Sequence, residues 1–248
     1  MKKLILAFLT FSFSFFYATA QVDTGKKVTG FLTLGYGLCQ SVSDFGSTAN
    51  NTTSGYAQVG TANNLSFGII INSINFGFSF MRNTSSNIYN TSAYTSNLQA
   101  SQPSATFTAV SNKQPYLGGY IFYGIYKAFY VKRFTFDVRI MAGPCSIILP
   151  YVSYGEVLEG LQSSEYINGG ATSATAFCGN LGIRYSITEG FCASIEVSYV
   201  YAQTSFTTTE NYADNNGNAQ VYQYVWNLPV SLLNVSLNVG WQFGRFIK

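Results

Sequence analysis

Leu233-Asn234-Val235-Ser236-Leu237-Asn238-Val239-Gly240-Trp241-Gln242-Phe243-Gly244 is the stretch on which the fold turns. Six large apolar side chains alternate without a break with small or polar ones. Period-two alternation marks a strand whose two faces meet different surroundings. The polar face carries amides and a hydroxyl but no charge, whereas a soluble sheet would set many more charges on the face it turns to water.

Working outward from this strand, four earlier stretches share its texture. Val28 to Cys39 sets Val28, Leu32, Leu34, Tyr36 and Leu38 on one face and Thr29, Thr33, Gly35, Gly37 and Cys39 on the other, with Phe31 alone among the small residues. Leu65 to Arg82 switches phase: Leu65, Phe67, Ile69 and Ile71 are odd, and Ile74, Phe76, Phe78 and Phe80 are even. A two-residue hairpin at Asn72-Ser73, with Ile71 opposite Ile74, reconciles the two sets on one face. Tyr116 to Gly143 predicts a second hairpin turning at Val131-Lys132-Arg133, with Tyr130 opposite Phe134 and Lys127 opposite Asp137 on the inner face. Thr175 to Tyr201 predicts a third, turning over Ser186 to Gly190. In that register Cys192 faces Arg184 and Cys178 faces Ser198, too far apart for a Cys178–Cys192 bridge.

The total is eight antiparallel strands of about 9–11 residues, the span a tilted membrane strand needs. Three turns are short, and four connections, near 40–63, 83–115, 146–173 and 203–230, are long, polar and rich in Ser, Thr and Asn. Short turns at one end and long loops at the other form the asymmetry of transmembrane barrels, with both termini on the periplasmic side.

Composition agrees. Charged residues are 9% and aromatic ones 17%, with 19 Tyr, 21 Phe and 23 Gly against 3 Met. Soluble domains carry about 25% charge. The chain opens with Lys2 and Lys3, an apolar run from Leu4 to Tyr17, and Ala18-Thr19-Ala20, the three parts of a cleavable secretory leader. The expectation is a leader over 1–20 and a barrel domain over 21–248, exported to the bacterial outer membrane. No other apolar run is long enough for a spanning helix, and only a helix or a closed barrel satisfies every backbone polar group in lipid. The near balance of charge argues against nucleic acid as a partner. Cys39, Cys145, Cys178 and Cys192 have no metal-ligand spacing, so no metal and no cofactor is expected.

The hairpin Gly182-Ile183-Arg184-Tyr185 … Ala193-Ser194-Ile195-Glu196-Val197 and the closing Leu237-Asn238-Val239-Gly240-Trp241-Gln242-Phe243 resemble the small outer-membrane β-barrel family typified by OmpA-like and OmpX-like eight-stranded barrels. The resemblance is one of pattern over nearly the whole mature chain. It implies outer-membrane lipid as the surrounding phase and the barrel-assembly machinery as a partner that reads the terminal aromatic strand. The chain continues past Phe243 to Lys248 rather than stopping at an aromatic residue, and it has no room for the cell-wall-binding domain of larger relatives.

Two sets of residues stand out as candidate sites. Lys127, Asp137, Arg139, Arg184 and Glu196 fall on the inner face as a lumen charge network, which either locks the interior shut or lines a narrow solute path. Tyr56, Tyr89, Tyr94, Tyr154, Tyr166 and Tyr212 punctuate the loops, where Tyr among Ser, Gly and Asn makes an adaptable contact surface for an external ligand or partner. The chain has no His, and no Ser or carboxylate spacing supports a catalytic centre, which argues against an enzyme. Three readings follow: a structural or surface-interaction barrel acting through its loops, a narrow channel for small or apolar solutes, and a soluble secreted β-sandwich.

Overall fold

The computed structural model describes residues 28–49, 54–71, 76–112, 114–158, 161–168, 170–214 and 217–244. The leader, the Asn72-Ser73 turn with Ile74, and the tail after Gly244 lie outside them. Eleven strands are present among the described residues: β1 (Val28–Ser41), β2 (Ala57–Ile71), β3 (Phe76–Tyr89), β4 (Thr106–Asn112), β5 (Tyr116–Val131), β6 (Phe134–Ile148), β7 (Val152–Leu158), β8 (Leu161–Asn168), β9 (Ala171–Ser186), β10 (Phe191–Asp214) and β11 (Ala219–Phe243). Two helices, α1 (Ser43–Gly46) and α2 (Thr91–Ser101), lie in the first two long connections.

Eight strands, β1-β2-β3-β5-β6-β9-β10-β11, pair antiparallel in that order, and β11 pairs back onto β1. The sheet is therefore closed, with no free edge in the wall. One row of paired residues runs Thr29, Ile70, Gly77, Tyr126, Arg139, Asn180, Ser198, Asn234 and returns to β1 at Cys39, ten residues beyond its start. With eight strands about 4.8 Å apart and about 3.3 Å per residue, a ten-residue stagger tilts the strands by about 40°. Each residue then climbs about 2.5 Å along the barrel axis, and each step to the next strand about 3 Å.

The outward faces carry the apolar sets read from the sequence. Leu34, Phe78, Ile140, Ile195, Leu237 and Val239 are all exposed, Leu237 at 68%. On β10 the belt runs from Phe191 to Tyr201 and on β11 from Leu233 to Phe243, eleven residues each, which is about 25 Å along the axis and the height of a bilayer's apolar band. Inward residues are buried and predominantly hydrophilic on β11: Asn234, Ser236, Asn238 and Gln242. An apolar outside around a hydrophilic inside is the architecture of a transmembrane β-barrel and the inverse of a soluble sandwich.

Three sequence expectations need correction. The β5–β6 turn has two residues, not three: Val131 pairs with Phe134, and Lys132 takes a left-handed φ of 51°. That one-residue difference reverses the face of β5. Lys127 is opposite Val138 on the outer face, and Ala128 faces Asp137, so Lys127 does not belong to the lumen network. Its ammonium lies 5.2 Å from the Phe76 ring and 5.3 Å from Phe129, nearer the periplasmic rim. The β2–β3 ladder ends at Ile71–Phe76 instead of Ile71–Ile74, and Cys192 pairs with Ser186 instead of lying opposite Arg184. Both are shifts by two, which keep every face as expected and which periodicity cannot distinguish.

The long connections are also more ordered than their composition suggests. β10 and β11 continue as one hairpin from the wall to Ala213–Ala219. Above the barrel, β8 pairs with β10 at Thr209–Asp214, β7 with β8, and β4 with β7, giving a sheet that projects from the external end.

Candidate functional site

The lower half of the lumen is a closed charge cluster. Arg139, from mid-height of β6, donates through Nη1 and Nη2 to the two carboxylate oxygens of Glu196 at 3.2 and 3.0 Å. Asn180 Nδ2 adds a third donor to Glu196 at 3.3 Å. Asp137 sits 3.7 Å from Arg139 and accepts from Arg184 Nη2 at 3.1 Å and from the Tyr126 hydroxyl at 2.5 Å. All four charged groups are buried, and two cations meet two anions, so the cluster is neutral. Fork-to-fork pairing and shared hydrogen bonds make such burial tolerable.

Phe31, the one residue that broke the alternation of β1, explains itself here. It is fully buried, with its ring 4.0 Å from the Arg184 guanidinium carbon and 4.7 Å from that of Arg139, and edge-on to Tyr126 at 5.5 Å. Gly68, its partner on β2, leaves the room: a Cβ there would come within 2.4 Å of the Phe31 ring. Gly182 lies between the two carboxylates, paired with Asp137 on one side and Glu196 on the other. Arg184 Nε and Nη1 have no protein partner, and Arg184 borders a cavity of about 10 Å³ lined by Thr29, Tyr130, Thr135 and Gln242, room for about one water.

Above the cluster the lumen is filled by Met81, Tyr120, Phe122, Met141 and Val200 together with the buried amides of Asn83, Asn87 and Asn234, and higher still by Phe206 and Leu228. All four cysteines point inward, buried and unpaired with one another. The external mouth is plugged by an aromatic cap built from the first three long connections. Tyr56, Tyr89 and Tyr94 pack pairwise, edge-on or tilted, at 5.3 to 5.9 Å between centroids, Phe45 of α1 meets Tyr116 at 4.9 Å, and Tyr154 of β7 joins Tyr94 at 6.1 Å. Helix α2, capped by the Asn90 side chain on Ala93 N, aims Asn97 at the Tyr56 hydroxyl, 2.7 Å away. Burial pushes the Tyr56 phenol above its ordinary pKa, with the Asn97 contact acting the other way.

Of the loop tyrosines picked from the sequence, Tyr56, Tyr89, Tyr94 and Tyr154 are thus buried in the cap and present no contact surface. Tyr166 and Tyr212 have side chains outside the described set. The lumen network keeps Asp137, Arg139, Arg184 and Glu196, loses Lys127, and gains Phe31, Tyr126 and Asn180. Broken alternation at Phe31 was the one available signal; Tyr126 was hidden by the ambiguous phase of β5.

What the external end does expose is the projecting hairpin. Above Tyr201 the outward face turns polar at Gln203, Ser205 and Asn227, and then Val225 and Val221 stand exposed on that face at 63% and 64%, with Tyr222 exposed at 51% on the opposite one. At about 2.5 Å of climb per residue, they sit about 20–30 Å beyond the belt.

No protein-family profile matches the chain, and neither does any curated protein. Among solved structures, the chain is similar to a major outer membrane protein from Thermus thermophilus, at 8% identity over 87% of this chain and 99% of that one, TM-score 0.45. It is also similar to Neisserial surface protein A, at 14% identity over 88% and 97%, TM-score 0.44. A third is Ail, the attachment invasion locus protein of Yersinia pestis, in complex with the heparin analogue sucrose octasulfate, at 11% identity over 88% and 99%, TM-score 0.37. The assignment of an eight-stranded transmembrane barrel rests on this chain's own closed sheet and apolar belt.

Proposed function

We propose that the chain is an outer-membrane barrel, exported by a cleaved leader over 1–20 and inserted by the barrel-assembly machinery, that acts at its external surface and not as a conduit. The observation that carries this reading is the filled lumen: a neutral charge cluster occupies its lower half, packed apolar side chains and buried amides its upper half, and an aromatic cap its mouth. An eight-stranded barrel is just wide enough for side chains to fill it. A solute path would require breaking the Arg139–Glu196 fork and displacing Phe31. The projecting β10–β11 hairpin, which stands beyond the lipid band with Val221 and Val225 exposed on one face and Tyr222 on the other, is then the contact surface. The chain has no His, and no Ser or carboxylate spacing in its sequence supports a catalytic centre, so the reading is non-catalytic.

Planar-bilayer recording of purified protein tests it. Closed-lumen barrels give a quiet baseline; steady unitary currents would overturn the proposal and favour the channel reading.

A further inference from the structure

The apolar belt is not level. On β1, β9, β10 and β11 its outward side chains reach Leu38, Phe177, Tyr201 and Leu233. On β2 and β3 they stop at Leu65 and Phe80, and the next outward residues are Asn63 and Thr61 on β2, then Arg82, Thr84 and Ser86 on β3. Following the stagger of the sheet, Leu65 and Phe80 lie about 10 Å below the upper rim that the other strands define, and Arg82 sits about 6 Å below it. The ladder fixes the patch: Leu65 pairs with Arg82 and Arg82 with Ile121, while Asn63 pairs with Thr84 and Thr61 with Ser86. Arg82 is exposed, and among the described residues no carboxylate forms an ion pair with it.

A lipid-facing Arg is costly near the bilayer centre and nearly neutral at the interface. Arg82 at this depth would be expensive against hydrocarbon but is flanked on its own and the adjoining strand by hydroxyls and an amide. We propose that this notch on the β2–β3 wall holds the phosphate of an outer-leaflet lipid headgroup, drawn below the rim so that Arg82 pairs with it and Asn63, Thr61, Thr84 and Ser86 hydrogen-bond around it. Charge decides against the other natural occupant. A second copy docking through this face about a two-fold axis would bring Arg82 towards its own symmetry mate, with no acidic residue on the outer wall of these two strands to separate them. The inference rests on the reading that the barrel sits in a bilayer.

The test reconstitutes the delipidated full chain into vesicles of digalactosyldiacylglycerol, a bilayer lipid without phosphate, doped with either phosphatidate or diacylglycerol of the same acyl chains. Co-purified lipid is then counted by native mass spectrometry. The wild type should retain phosphatidate over diacylglycerol by about tenfold, the equivalent of one charge-assisted contact. R82Q should lose that preference while keeping heat-modifiable gel mobility, and R82K should keep most of it. Equal retention of the two lipids by the wild type, an unchanged preference in R82Q, displacement of phosphatidate by millimolar inorganic phosphate, or a dimer cross-linked through β3 would each overturn the notch assignment. Failure of the wild type to insert at all would instead remove the membrane reading on which it rests.

Discussion

Replacing Glu196 with alanine should be the most damaging single change in the lumen. Glu196 takes both terminal nitrogens of Arg139, at 3.2 and 3.0 Å, and the amide of Asn180 at 3.3 Å, with every group buried. In its absence the nearest acid to Arg139 is Asp137 at 3.7 Å, which already holds Arg184 at 3.1 Å and the Tyr126 hydroxyl at 2.5 Å. A buried guanidinium would then share one carboxylate with a second cation. Breaking a buried pair from one side costs about 3–5 kcal/mol, whereas replacing both partners with apolar residues of similar volume is often close to neutral. Glu196→Ala should therefore destabilise by about 3–5 kcal/mol, as should Glu196→Met, and the double variant Arg139→Met/Glu196→Met by far less, giving a coupling of at least about 2 kcal/mol in the double-mutant cycle built on the two methionine single variants. Urea titration of protein refolded into phospholipid vesicles, followed by Trp226 and Trp241 fluorescence and by heat-modifiable mobility, measures it. A loss under about 1 kcal/mol for the single variant, or additive losses in the double, would refute the claim that this network locks the barrel.

Two further outcomes follow from the packing. Gly68→Ala places a methyl 2.4 Å from the Phe31 ring, so the ring must leave its place against the two guanidiniums, at a cost of about 1–3 kcal/mol in the same urea titration; Gly179→Ala, where nothing lies within 4 Å, should cost little. Leu237→Arg, in the belt, should lower stability by about 2–4 kcal/mol while Gln203→Arg, beyond it, changes stability by less than about 1 kcal/mol; equal effects would mean that the belt is misplaced.

Much of the wall was legible because period two survives every error of even size. Ile71 pairs with Phe76 instead of Ile74, yet Ile69, Phe67, Phe78 and Phe80 face the same way in either register. The single odd error, at the Lys132-Arg133 turn, was enough to move Lys127 from the inner face to the outer. β5 gave no warning, since Tyr120, Phe122, Tyr123 and Ile125 are apolar on both faces. The lumen carboxylates and arginines could be read from alternation alone; their partners could not, because Phe31, Tyr126 and Asn180 meet them only across a stagger that depends on all eight ladders. The cap was misread for a physical reason. Tyr with Ser and Asn composes an exposed contact loop and a plug equally well, and only the convergence of three connections on one mouth buries Tyr56, Tyr89, Tyr94 and Tyr154. Strand pairing likewise reached into polar segments such as Thr207 to Ala213, where backbone ladders between β10 and β11 need no apolar pattern.

The most direct test places single nitroxides at Leu34, Phe78, Ile195 and Val239, and at Ser194 and Asn238, in a background free of the four native cysteines and reconstituted in vesicles. Power-saturation with oxygen and with a water-soluble nickel chelate reports where each label sits. The first four should collide with oxygen and be shielded from nickel, as side chains in hydrocarbon are; the last two should be shielded from both. Nickel accessibility at Leu34, Phe78, Ile195 and Val239 would contradict the account, because it would place the apolar face of the closed sheet outside the lipid.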